Sequence, residues 1–148
     1  MNSSEKTPGD DTEQLEAHPH TPEVLVAEDN ALLALDVVDM LDTLGIEVRG
    51  PVSSRIKALA MLDNFRVCAA VLDWNLIDGT ADVIARRLDA EGVPFVFYTS
   101  EPETVRALWP DRPVIRKPGS VLELLAAIEK IMKKLREESA RTVGSRAA

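Results

Sequence analysis

Charged and hydroxyl side chains stand directly after four apolar runs of this 148-residue chain. Glu28-Asp29 follows Val24-Leu25-Val26-Ala27, and Asp73 follows Ala69-Ala70-Val71-Leu72. Thr99-Ser100 follows Phe95-Val96-Phe97-Tyr98, and Lys117-Pro118 follows Val114-Ile115-Arg116. Singly, each has an ordinary reading: the acids as helix caps or Asx turns, Thr99 as a cap or turn residue, Lys117 as a solvated lysine. Together they differ. Three carboxylates brought close repel and raise one another's pKa unless a cation lies among them. Mg²⁺ suits such a set, because it takes few protein carboxylates and keeps its waters. Lys117 cannot replace that ion, but its ammonium pairs with an added anion. The set has the chemistry of a site that handles a phosphoryl group.

Convergence depends on the elements that carry these residues. Val24–Ala27, Ile46–Arg49, Val67–Leu72, Val93–Tyr98 and Pro113–Arg116 read as short, nearly all-apolar strands, the second closed by Gly50-Pro51. Between them lie helical patterns. The first starts at Ala31 and ends at Gly45; the second is capped by Ser53 or Ser54 and runs through Leu62; the third covers Thr80–Ala90. A weak fourth covers Glu103–Leu108 and is stopped by Pro110. The fifth opens with a Ser120/Glu123 capping box and carries Val121, Leu124, Leu125, Ile128, Ile131, Met132 and Leu135 in one stripe. Apolar strands alternating with helices predict an α/β domain with a five-stranded parallel sheet, doubly wound, and a shortened fourth helix. In such sheets ligands bind beyond the carboxyl ends of the strands, where these polar residues stand.

Composition sets the outer limits. The formal net charge of −8 disfavours a nucleic-acid binder working through a broad basic surface. A single cysteine, Cys68, excludes an internal disulfide framework and suits a reducing cytoplasm. No signal-like or membrane-spanning apolar run is present, so no membrane partner is expected. Residues 1–22 carry Glu5, Asp10, Asp11, Glu13 and Glu16 against Lys6, with several prolines, and read as a disordered acidic tail. Residues 139–148 read as a disordered C-terminal tail, leaving 23–138 as the folded domain. His18 and His20 fall in the first tail, and Cys68 reads as a small core residue.

At these residues the sequence resembles the receiver domain of two-component response regulators, the CheY-like, flavodoxin-type fold. The resemblance covers about residues 23–136 and has four motifs in order: Glu28-Asp29, Asp73, Thr99 and Lys117-Pro118. It implies that Asp73 is the phosphoacceptor, attacking a phosphohistidine on a sensor histidine kinase or a histidine phosphotransfer protein. Asp29, Asp73 and the backbone carbonyl of Asn75 would hold Mg²⁺, with Glu28 acting directly or through water. Thr99, the Ser100 amide and Lys117 would bind the phosphoryl oxygens, Thr99 moving in as a two-state switch. The family's Lys-Pro bond is usually cis, which marks Pro118.

Three positions depart from the family pattern. The loop Asp73-Trp74-Asn75-Leu76-Ile77-Asp78-Gly79 is short and has no proline, and little chain separates Thr99 from Lys117. Val114 stands where most receivers carry an aromatic, with Tyr98 and Trp109 as candidate replacements that also read as plain packing. The resemblance implies a stand-alone, cytoplasmic signalling phosphoprotein of a phosphorelay. It would catalyse only its own phosphorylation and dephosphorylation, and leftover apolar residues on the last helix leave room for a homodimer. One alternative is a receiver-like binding module that takes no phosphate. Another is a haloacid-dehalogenase-like phosphatase, disfavoured because Asn75 stands where that family needs an acid and the acidic pair comes first.

Overall fold

Four of the five parallel strands are short and buried, and that burial decides how the chain folds. The computed structural model describes residues 21–118 and 121–147. In chain order the elements are β1 (Glu23–Ala27), α1 (Ala31–Thr43), β2 (Glu47–Val52), α2 (Arg55–Asn64) and β3 (Ala69–Leu72). A small hairpin, β4 (Asn75–Leu76) and β5 (Gly79–Thr80), precedes α3 (Asp82–Ala90). The chain closes with β6 (Phe95–Thr99), α4 (Pro102–Leu108), β7 (Val114–Arg116) and α5 (Val121–Ala147).

The main sheet has the order β2-β1-β3-β6-β7, all parallel. Alternation along each strand divides the core into two layers. Val24, Val26, Val71, Val96 and Ile115 pack with Val37 and Leu41 of α1 and Leu124, Ile128 and Met132 of α5. Leu25, Leu72, Phe95 and Phe97 pack on the other face with Ala58 of α2, Ile84 and Leu88 of α3 and Val105 of α4. Strands covered on both faces have no polar side to show, which is why they read as unbroken apolar runs. Strand order reverses between β1 and β3, so the crevice of a doubly wound sheet opens there.

The structure differs from the sequence reading in four places. Gly50-Pro51 does not close the second strand: β2 runs through it to Val52, and the Gly50–Pro51 peptide is cis. As the edge strand, β2 tolerates a missing N–H. Gly50 has φ of +107°, and a Cβ there would meet the Val26 carbonyl at 2.8 Å, so the register shift opposite β1 needs glycine. Pro22 belongs to the sheet rather than to a tail, since its carbonyl accepts from Glu47 N–H at 2.8 Å. The last helix continues to Ala147 instead of stopping at 138, and residues 139–147 contain no proline to break it. Residues 75–79, expected as loop, and Thr80, expected to open the third helix, form the β4–β5 hairpin, and α3 starts at Asp82. The acidic stretch through residue 20 and the Ser120 cap lie outside the described residues. The fourth helix is short, with Pro102 in its first turn.

Candidate functional site

Backbone pairing continues one residue past β1, β3 and β7, and this holds the polar residues at the sheet's carboxyl edge. Glu28 N–H donates to Val52 O at 2.9 Å, Asp73 N–H to Ala27 O at 2.8 Å, and Lys117 N–H to Thr99 O at 3.0 Å. Glu28, Asp73 and Lys117 follow Val26, Val71 and Ile115 in the alternation, so all three point toward one layer. There they meet. Lys117 Nζ donates to Glu28 Oε1 and Oε2 at 2.8 and 2.9 Å and to Asp73 Oδ2 at 3.0 Å. All three side chains are buried, a lysine with two acids. Asp29 is exposed beside them, and one carboxylate oxygen from each of Glu28, Asp29 and Asp73 lies within 4.8 Å of the others.

The electrostatics follow from burial and count. Burial pushes the Asp73 carboxyl up to about 7, the Glu28 charge adds to this, and Lys117 opposes it. Burial disfavours the Lys117 ammonium, but its bonds to Glu28 and Asp73 outweigh that and hold it above the ordinary lysine value. One ammonium thus faces three carboxylates, all hard oxygen donors, and the excess negative charge fits a divalent cation such as Mg²⁺. Among the described residues no buried side-chain polar atom lacks a hydrogen-bond partner.

The remaining expected residues surround this centre. Thr99 is fully buried, and its Oγ1 accepts from Glu101 N–H at 3.0 Å. Ser100 is exposed just after β6. Asn75 opens β4, and its side-chain amide donates to Glu101 across the mouth of the crevice. The Lys117–Pro118 bond is cis. Tyr98 is buried in the α1/α5 layer with Lys117 Nζ 6.0 Å from its ring centre. Trp109 lies in the opposite layer, against Phe95 and Phe97 at 5.6 and 6.2 Å, in the same cluster as buried Val114. The two aromatic candidates therefore serve different faces of the sheet.

One residue escaped the sequence reading. Asp78, in the turn of the hairpin, accepts from the backbone N–H groups of Arg55 and Ile56 at 2.7 and 3.2 Å and so caps α2. Its only sequence signal is the turn dipeptide Asp78-Gly79, since the capped helix lies far upstream. Grooves of about 470 and 620 Å³ open at the opposite end of the sheet, one lined by Phe95 and Ile131, the other by Phe65 and Val67. Neither includes the carboxylates.

No family model matches the chain. It is 31% identical to SdrG from Sphingomonas melonis, with a TM-score of 0.67, over 75% of this chain and 96% of the SdrG chain. A response regulator receiver protein from Sinorhizobium medicae is 25% identical with a TM-score of 0.68, covering 78% of this chain and 97% of that one. The chain belongs to the response regulator receiver domains. This receiver is also 30% identical over 117 residues to the phyllosphere-induced regulator PhyR of Methylorubrum extorquens. It spans 43% of that regulator's length. Among its described residues the receiver has no helix long and apolar enough to cross a membrane.

Proposed function

We propose that this receiver takes a phosphoryl group onto Asp73 from a phosphohistidine of a sensor histidine kinase or histidine phosphotransfer protein, and signals by protein contact. The observation that carries this reading is the Lys117 ammonium held by Glu28 and Asp73 with Asp29 alongside. Asp29, Asp73 and the Asn75 carbonyl would hold Mg²⁺, with Glu28 in reach. When bound, the ion offsets negative charge on the carboxylates and on the transferring group.

The rest of the work falls to the chain. An Asp73 oxygen attacks phosphorus, the P–N bond to the donor imidazole breaks, and that nitrogen keeps the electron pair and takes a proton. Lys117 exchanges its Asp73 contact for a phosphoryl oxygen while Glu28 retains it, so the ammonium need not leave its socket. Thr99 trades its bond with Glu101 N–H for the phosphoryl group, and the Ser100 amide donates to another oxygen. Moving Thr99 shifts β6, against which α4 and α5 pack, and this is the route to a changed surface. In this reading the receiver turns over no substrate but its own phosphoryl group, and the match to 96% of the SdrG chain supports a receiver of this length.

Intact mass after incubation with an acyl phosphate and Mg²⁺ tests the proposal. Wild type gains one acid-stable, base-labile phosphoryl group, which is lost with EDTA and in Asp73→Asn. Absence of the adduct with both the small donor and a cognate kinase sinks the reading and favours a phosphate-independent module. Steady hydrolysis of unrelated phosphoesters favours an enzyme.

A further inference from the structure

The β4–β5 hairpin has only two residues in each strand, too few to hold a shape unaided. Its base is closed by Ala81 N–H donating to Trp74 O at 2.8 Å. Its tip is tied twice to the first turn of α2 and once to the residue before its cap: Asp78 accepts from Arg55 N–H and Ile56 N–H, and Ile77 N–H donates to Ser53 O at 3.1 Å. The Arg55 guanidinium adds an ion pair to Asp78 at 3.8 Å and lies where a Cβ on Gly79 would sit. Asn75 stands at the near end of this hairpin, with its side chain at the mouth of the crevice.

We propose that Asp78 is a positioning residue for the cation: by clamping the hairpin to α2 it holds the Asn75 backbone at the acidic crevice. This rests on the reading of the site given above. Asp78 contacts none of the reacting groups; it acts through the hairpin. A pure helix cap would matter only to the stability of α2. Ser54 is such a cap, its Oγ accepting from Lys57 N–H at 3.1 Å within α2. The two residues cap the same helix and differ in what else they hold.

The test compares Asp78→Asn, Asp78→Ala and Ser54→Ala with wild type. Mg²⁺ affinity is read from tryptophan fluorescence, since Trp74 adjoins Asp73, and stability from urea unfolding. Both Asp78 variants weaken Mg²⁺ binding about tenfold, as loss of an outer-shell support does, and speed hydrogen exchange at Asn75 and Leu76. Ser54→Ala lowers stability and leaves Mg²⁺ affinity unchanged. The Asp78 effect persists at about 0.5 M salt, where a through-space charge effect is screened away. If Asp78→Ala fails to fold, Asp78→Asn retains one acceptor for the Arg55 amide and carries the comparison. Unchanged affinity in the Asp78 variants, an equal loss in Ser54→Ala, or an effect abolished by salt overturns the inference. A wild type that shows no Mg²⁺ response at all removes the reading of the site itself.

Discussion

Lys117 and Glu28, 89 residues apart in the chain, form a two-pronged buried ion pair, Nζ lying 2.8 Å from one carboxylate oxygen and 2.9 Å from the other. The second oxygen also accepts from Asn30 N–H at 3.0 Å, so Glu28 is fixed from two sides. Removing the lysine leaves two buried carboxylates with no counter-charge, a situation that costs far more than the pair itself contributes. Lys117→Met therefore lowers unfolding free energy by about 3 kcal/mol at neutral pH. The loss shrinks on acidification, because Asp73 then takes up a proton and loses its charge. Urea unfolding at both pH values reads this, and equal stability of variant and wild type at neutral pH contradicts it.

Asp73 gives the protein a pH dependence of definite sign. Its folded pKa is raised to about 7. Its unfolded value lies near 4, so between these values the folded chain keeps a proton that the unfolded chain has released. Stability from this group is thus greatest below about pH 4 and falls as pH rises to about 7. Asn mimics the protonated acid, so Asp73→Asn removes the fall. In Mg²⁺-free urea titrations the variant exceeds wild type by at least about 1 kcal/mol at pH 8, and the gap closes toward pH 4. A variant less stable than wild type at pH 8 refutes the sign.

A cation that binds the folded crevice stabilises it by mass action. At tenfold excess over its dissociation constant, Mg²⁺ raises unfolding free energy by about 1.4 kcal/mol. EDTA reverses the gain, and Asp29→Asn or Asp73→Asn abolishes it, since each removes a member of the acidic cluster. Thermal unfolding with and without Mg²⁺ measures it; an equal shift in the variants places the ion elsewhere.

Glu28, Asp29, Asp73, Thr99 and Lys117 were legible as a set because they follow short runs that are almost entirely apolar, Arg116 before Lys117 being the exception. A strand buried on both faces leaves no ambiguity about where it stops. The parts that were not legible depend on contacts distant in sequence. Asp78 caps a helix that precedes it in the chain, and no local pattern announces such a cap. The hairpin around it is too short to show any period. Gly50-Pro51 reads locally as a terminator, yet an edge strand with one free side accommodates it. The resemblance pointed to Trp109 as a stand-in for the aromatic missing at Val114, but nothing local revealed its partner Asp82.

That partnership yields the last prediction. Trp109 Nε1–H donates to Asp82 Oδ1 at 3.0 Å, tying the end of α4 to the first turn of α3. Asp82 also pairs with Arg86 at 2.6 Å, so it stays in place when the indole is changed. The ring packs edge-on against Phe95, and Phe97 in turn contacts Trp74, the residue after Asp73. Hydrogen bond and packing are separable. Trp109→Phe keeps an aromatic ring and loses the bond, which costs about 1 kcal/mol. Trp109→Ala loses both and costs about 3 kcal/mol, because it opens a gap beside two phenylalanines. In the Asp82→Ala background the cost of Trp109→Phe falls to near zero, since the bond has no acceptor left. A cost that is unchanged in that background means the indole N–H contributes nothing, and the link between α3 and α4 is packing alone.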